Sequence, residues 1–252
     1  MKETDLDALA FAAHPDDAEI GCGGTLASLA QRGYRVGIVD LTEGELASRG
    51  TPQERRREAQ EAAAVLGLAL RENLGLPDGG VRAEPDQLQA VAFCLRRHRP
   101  ALVLAPHAAA RHPDHRGAAD LIERAGFLAG LRRYRPDLPP HQPHRILFYG
   151  ERYALRAAFV VDVSAVYDRK LKALSCYRSQ LYNPDAVDQP LTLIGAPETL
   201  AVVEARDRSC GALLGVSFAE AFTLRESLAI DDPVEFFRHA LPAHAFPARE
   251  DG

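Results

Sequence analysis

Leu9-Ala10-Phe11-Ala12-Ala13-His14-Pro15-Asp16-Asp17-Ala18-Glu19-Ile20-Gly21 runs from an apolar segment directly into one imidazole and two carboxylates within four residues. Uninterrupted apolar side chains read as a strand buried on both faces, the pattern of a parallel sheet. Far along the chain a second apolar run, Leu102-Val103-Leu104-Ala105, leads to a matching turn, Arg111-His112-Pro113-Asp114-His115. Together the two turns offer three His and three Asp, enough for a three-ligand divalent metal site with acid–base groups left over.

Strand and helix signals alternate around these turns. Strands are predicted at Asp7–Ala13, Arg35–Leu41, Leu68–Leu74 and Ala101–Ala105, and helices at Gly23–Gly33, from Thr51 to Leu66, Glu84–His98 and Arg116–Leu131. Thr51-Pro52-Gln53-Glu54 has the form of a capping box with proline at the first helical position, and Gly67 closes that helix. The alternation predicts an α/β, Rossmann-like single domain over 1–252, a mostly parallel sheet with helices on both faces. In a 3-2-1-4 strand order the first and fourth strands are neighbours across the point where the order reverses. That order brings the two motif turns together at the carboxyl ends of the strands. Further strands are expected at Arg145–Gly150 and Ala157–Val163, and helices at Ala165–Ser179 and Pro197–Leu214. Residues 132–144 and 183–195 read as loops, and about 231–252 as a loosely held tail.

Composition narrows the function classes. The chain has 252 residues, 46% hydrophobic and 26% charged, with a formal net charge of -5. Its basic residues are scattered, apart from Arg55-Arg56-Arg57 and Arg132-Arg133, so neither nucleic acid nor a membrane surface is an expected partner. Cys22, Cys94, Cys176 and Cys210 form no CxxC pair, and the N-terminus lacks a secretory apolar stretch; a reducing cytoplasm is expected. Cys22 is expected to pack rather than ligate. His98, His141, His144, His239 and His244 read as surface residues, and His107 as a residue that can line the cleft.

The two histidine motifs, with Gly21-Cys22-Gly23-Gly24 after the first, resemble the LmbE-like (PIG-L) family of zinc-dependent N-acetylglucosaminyl deacetylases. The segments Leu41–Ser48, Thr51–Gly67, Phe159–Ser164, Tyr177–Gln180, Val203–Arg206 and Gly215–Phe222 are similar to its bacillithiol-pathway branch. That branch removes acetate from N-acetylglucosaminyl malate. The resemblance implies one Zn2+ per chain, held by His14, Asp17 and His115, with Asp16 as general base. It makes His112 a second acid–base or oxyanion-stabilising group, oriented by Asp114. It implies substrate contacts from Arg55, and a homo-oligomer. Glu45 is a candidate for sugar hydroxyls, and Arg111 for a substrate carboxylate. Asp162 reads as a structural cap. The branch's oxyanion tyrosine has no counterpart near Thr199; either Tyr182 reaches in from the preceding loop or the role is absent.

The expected activity is hydrolysis of the acetamide of a small sugar conjugate, with the malate glycoside ahead of another GlcNAc conjugate or a chitooligosaccharide. Two imidazoles and a carboxylate also suit iron(II), cobalt or manganese. A two-metal phosphoesterase and a non-catalytic binding module are the other classes. Against the first stands the lack of a phosphate-cradling glycine loop; against the second, a poor dinucleotide fingerprint.

Overall fold

A computed structural model describes residues 5–134, 137–151, 156–184, 190 and 192–240. Its first half alternates β1 (Ala8–Ala12), α1 (Asp17–Gln31), β2 (Val36–Thr42), α2 (Pro52–Leu66), β3 (Leu70–Leu76), α3 (Pro85–His98), β4 (Leu102–Pro106) and α4 (Pro113–Gly130). Then follow β5 (Arg145–Tyr149), β6 (Phe159–Asp162), α5 (Tyr167–Leu174), α6 (Thr199–Ala212), β7 (Ala219–Thr223) and α7 (Pro233–Ala240). The seven strands form one sheet in the order β3-β2-β1-β4-β5-β7-β6. β1 to β5 are parallel neighbours, and β7 enters antiparallel between β5 and β6. The α/β expectation and the 3-2-1-4 order both hold.

β1 shows why the sheet is buried on both sides. Ala8, Ala10 and Ala12 join one core with Leu26 of α1, Leu66 of α2 and Ala173 of α5. Leu9, Phe11 and Ala13 join the other with Leu95 of α3 and Ile122 of α4. The two-residue period of a strand sends alternate side chains to opposite layers. The capping box at α2 is present in full: Thr51 Oγ1 accepts from the Glu54 amide, and the Glu54 carboxylate accepts from the Thr51 amide. Gly67 closes the helix at φ 74°.

Several boundaries differ from expectation. α1 starts at Asp17 rather than at Gly23, with a break in helical geometry at Cys22. The glycines are there for close packing: a Cβ at Gly21 would fall inside the Tyr149 ring, and one at Gly24 against the Val163 side chain. α4 starts at Pro113, so the second motif is itself a helix N-terminus. The helix expected over Ala165–Ser179 is a short 3-10 turn, Ser164–Val166, followed by α5 ending at Leu174. β7 is a strand without a counterpart among the expected elements. In the tail, Pro233–Ala240 is helical. Residues 241–252, parts of the two loops at 132–144 and 183–195, and the expectation for His244 lie outside the described residues, as does the His239 side chain. Among the described residues no helix is long and apolar enough to cross a membrane.

Candidate metal and active site

β1 ends at Ala12, the chain turns through His14 and Pro15, and α1 begins at Asp17. At Asp16 the backbone takes φ 120°, uncommon for a residue with a Cβ. A conformation of that kind costs on the order of 1–3 kcal/mol and persists only where its surroundings hold it. Arg55 of α2 does the holding. Its Nε and Nη2 donate to the Pro15 carbonyl at 3.0 and 2.8 Å, and Nη2 donates to Asp16 Oδ2 at 2.7 Å. One residue on, Asp17 Oδ2 accepts from the His14 amide at 2.8 Å, closing the turn.

β4 lies beside β1, so the first turn of α4 brings His115 to the same place. Asp17 Oδ2 lies 3.3 Å from His14 Nδ1 and 3.2 Å from His115 Nε2, and those two nitrogens are 3.3 Å apart. Donors held about 2.0–2.1 Å from a tetrahedral zinc ion stand about 3.3 Å from one another. This triangle therefore fits such an ion. The outer nitrogens of both rings meet further carboxylates. His14 Nε2 is 3.1 Å from Asp78 Oδ1 and 3.3 Å from Asp114 Oδ2, and His115 Nδ1 bonds Glu151 Oε2.

The electrostatics agree with the geometry. Burial alone pushes the His14 imidazole down, but hydrogen bonds to Asp114, Asp17 and Asp78 bring it up to about 12. His115 likewise rises to about 10 against burial, through Asp17 and Glu151. Asp17 is held well below the usual carboxylate range, despite burial, by His115 and His14. Carboxylates arranged in this way hold a positive charge between them, and a divalent cation answers the same demand. Asp16 moves the other way: burial, and then Asp17 and Glu19, push it up to about 7 in spite of Arg55 and His14. A carboxyl titrating near neutrality is suited to passing protons.

His112 caps α4, its Nδ1 accepting from the Asp114 amide at 3.2 Å. With Nδ1 accepting, the proton of the neutral ring sits on Nε2. Its ring centroid is 4.9 Å from both other imidazoles. Burial, and then the positive His14 and His115, hold its pKa below the ordinary histidine value. All three rings open onto a cleft of about 480 Å³, whose walls include Leu46, His107, Arg111, Ile194, Thr199 and Val203.

The structure thus joins His14, Asp16, Asp17, His112, Asp114 and His115 in one cluster and gives each expected site residue its partners. Asp114 does not orient His112 with its carboxylate. It bonds His14 Nε2 and accepts from the Gly79 and Val81 amides. Arg55 borders the cleft, and its hydrogen bonds go to the Pro15 carbonyl and Asp16. Glu45 accepts from the Asp78 amide at 2.7 Å and ties two loops together outside the cleft wall. Arg111 stands on the cleft wall, as does His107. Tyr182 is half exposed and off that wall. Among the described residues the tyrosine on the wall is Tyr149, whose hydroxyl donates to the Phe11 carbonyl. His98 is buried against Glu72, not on the surface. Cys22 packs in the core, and Asp162 caps the Ser164 amide. Asp78 and Glu151 went unread in the sequence, because neither belongs to a motif and each meets its imidazole only through the fold.

Comparison with known proteins points to one family. The pattern of the family described as "PIG-L: GlcNAc-PI de-N-acetylase" matches residues 9–125, which include both motifs. The diacetylchitobiose deacetylase of Thermococcus kodakarensis is 32% identical over 179 residues, covering 66% of this chain and 67% of that protein. The 4-oxalmesaconate hydratase of Pseudomonas putida is 28% identical over 206 residues, covering 71% and 76%. The crystal structure of the conserved protein TT1542 from Thermus thermophilus superposes with a TM-score of 0.81 at 41% identity, covering 90% of this chain and 98% of that one. With the histidine motifs in place at the ends of β1 and β4 and relatives matching over most of its length, the chain belongs to the PIG-L (LmbE-like) deacetylase family.

Proposed function

We propose that the chain hydrolyses the acetamide of an N-acetylglucosaminyl conjugate, releasing acetate and a free amine, with one Zn2+ held by His14, Asp17 and His115. The observation that carries this reading is the triangle of Asp17 Oδ2, His14 Nδ1 and His115 Nε2, with sides of 3.2 to 3.3 Å, next to Asp16 in the cleft. When bound, a divalent cation supplies Lewis acidity that polarises the amide carbonyl and acidifies water. Asp16 accepts the proton of the attacking water as the new C–O bond forms. His112 Nε2–H faces the developing oxyanion as a neutral donor. Collapse of the tetrahedral intermediate breaks the C–N bond, and the protonated Asp16 returns its proton to the leaving nitrogen. His112 already carries its single proton as a hydrogen-bond donor, which favours Asp16 as the carrier.

For the aglycone we favour malate, with Arg111 on the cleft wall as the guanidinium partner of its carboxylates. The similarity to a diacetylchitobiose deacetylase supports a second reading, an N-acetylated chitooligosaccharide. The test is metal analysis followed by assay of acetate release from N-acetylglucosaminyl malate, chitooligosaccharides and other acetamido sugars. We expect one zinc per chain, and acetate release that disappears in Asp16→Ala with zinc retained. Two metals with phosphatase activity, hydration of an unsaturated acid without amide hydrolysis, or metal binding with no turnover would each displace the proposal.

A further inference from the structure

Each imidazole of the triangle turns one nitrogen inward and the other onto carboxylate. For His14 the outer partners are Asp78 and Asp114; for His115 the partner is Glu151. We propose that Glu151 is the positioning residue that sets the tautomer and ring angle of His115 for metal capture, and that Arg206 holds Glu151 in place. The inference rests on the metal-site reading above.

A neutral His115 that presents its Nε2 lone pair to a cation must carry its proton on Nδ1. The ring is buried, so that N–H needs an acceptor, and leaving the bond unmade would strand a desolvated donor. Glu151 Oε2 is that acceptor. Its other oxygen, Oε1, is buried without a hydrogen-bond partner among the described residues. Among the described residues the His115 ring is thus the donor that meets this carboxylate.

Glu151 follows β5, beyond the regular strand, and its backbone needs an anchor. Arg206 of α6 supplies one. Nη1 donates to the Gly150 carbonyl at 3.0 Å and to the Glu151 carbonyl, and Nη2 donates to the Ile20 carbonyl at 2.6 Å. Ile20 lies one turn into the helix that begins with Asp17, so a single guanidinium joins the Asp17 helix to the Glu151 segment. The guanidinium is itself fixed by Asp207, at 2.9 Å from Nε and 2.7 Å from Nη2. Asp207 in turn accepts from Lys170 and Tyr167. The ring, its carboxylate and the clamp form one continuous chain of contacts from the metal triangle to α5.

The test measures zinc affinity by competition with a chromophoric chelator in the native chain, Glu151→Ala, Glu151→Gln and His115→Ala, with thermal unfolding of each metal-free protein. Loss of an outer carboxylate weakens metal binding by about 10- to 100-fold, the result expected for Glu151→Ala. Glu151→Gln keeps an acceptor oxygen without the charge and is expected to bind zinc more weakly than the native chain and more tightly than Glu151→Ala. In zinc-loaded protein with 15N-labelled histidine, the native chain and the Gln variant should show a protected His115 Nδ1 proton that the Ala variant loses. Native affinity in Glu151→Ala, alongside loss in His115→Ala, overturns the role of Glu151 and leaves the metal site standing. If His115→Ala binds zinc as tightly as the native chain, the metal-site reading itself falls, and this inference with it. Should Glu151→Ala fail to fold, native affinity in Glu151→Gln is the overturning result.

Discussion

Arg55 Nη2 donates to Asp16 Oδ2 at 2.7 Å, and both side chains are buried. The same guanidinium makes two bonds to the Pro15 carbonyl, so it fixes both the backbone and the carboxylate of the turn that carries the proposed base. A group that positions the base acts on turnover more than on substrate binding. Arg55→Ala should therefore lower kcat by on the order of 100-fold with KM little changed. Steady-state kinetics decide it: a raised KM at unchanged kcat would return Arg55 to substrate binding.

Asp16→Asn keeps the shape of the side chain and removes its capacity to take a proton. Loss of a general base costs about 10²–10⁴ in rate. We expect that fall in kcat with zinc content unchanged, because the triangle atoms belong to His14, Asp17 and His115. Metal analysis and acetate release on the same sample separate the two effects.

Zinc affinity should depend steeply on pH. With His14 raised to about 12 and His115 to about 10, both rings are cationic near neutrality before a cation enters, and each loses a proton as it binds. Two protons released means apparent affinity falls by about 100-fold per pH unit of acidification. Raised imidazole pKa values stabilise the metal-free fold fully below their unfolded value near 6.5. That contribution is lost as pH climbs through 10 and 12, in the window where the metal binds best. The rise in Tm on adding zinc should accordingly grow from about pH 6 to pH 8, and a shift independent of pH would contradict this account.

Gly21→Ala places a methyl group where the Tyr149 ring stands. The ring is fully buried, and its hydroxyl is held by Phe11, so it has little room to yield. Overpacking of this kind costs about 1–3 kcal/mol, and in a chain of this size each kcal/mol lowers Tm by about 2–4 °C. Calorimetry of the metal-free variant should show a drop in that range, since the clash is independent of zinc.

Lys170 is completely buried and donates to Asp207 at 2.7 Å and Glu220 at 2.6 Å. Lys170→Met leaves carboxylates buried short of a cation, a loss of about 3–5 kcal/mol. Urea unfolding should show it as a lower midpoint. Arg178→Ala, which breaks the exposed pair with Glu61, should leave the midpoint where it is.

The legible parts of the fold and site were those written locally. The apolar runs at β1 and β4 gave the parallel core, Thr51 and Glu54 gave the start of α2, and the paired His-Pro-Asp turns gave the cluster. What could not be read lay in contacts across the sheet. β7 is five residues, Ala-Glu-Ala-Phe-Thr, with one strongly β-prone aromatic, and its place between β5 and β6 comes from pairing with strands far away in sequence. Arg55 sits in a run of three arginines, and the run itself does not say which of them α2 buries on docking. Asp78 and Glu151 each stand in a segment without a motif, 64 and 36 residues from the imidazoles they bond.

Glu220 of β7 receives the Gly24 and Thr25 amides at 2.9 and 2.6 Å, just past the irregularity at Cys22. A chain emerging from a ribosome at about 5–20 residues per second presents His14 and Asp17 long before residue 220 exists. The helix that carries Asp17 therefore waits through 196 further residues of synthesis, from Gly24 to Glu220, before this fastening arrives. Nascent chains interrupted before β7 would carry both histidine motifs yet lack that fastening.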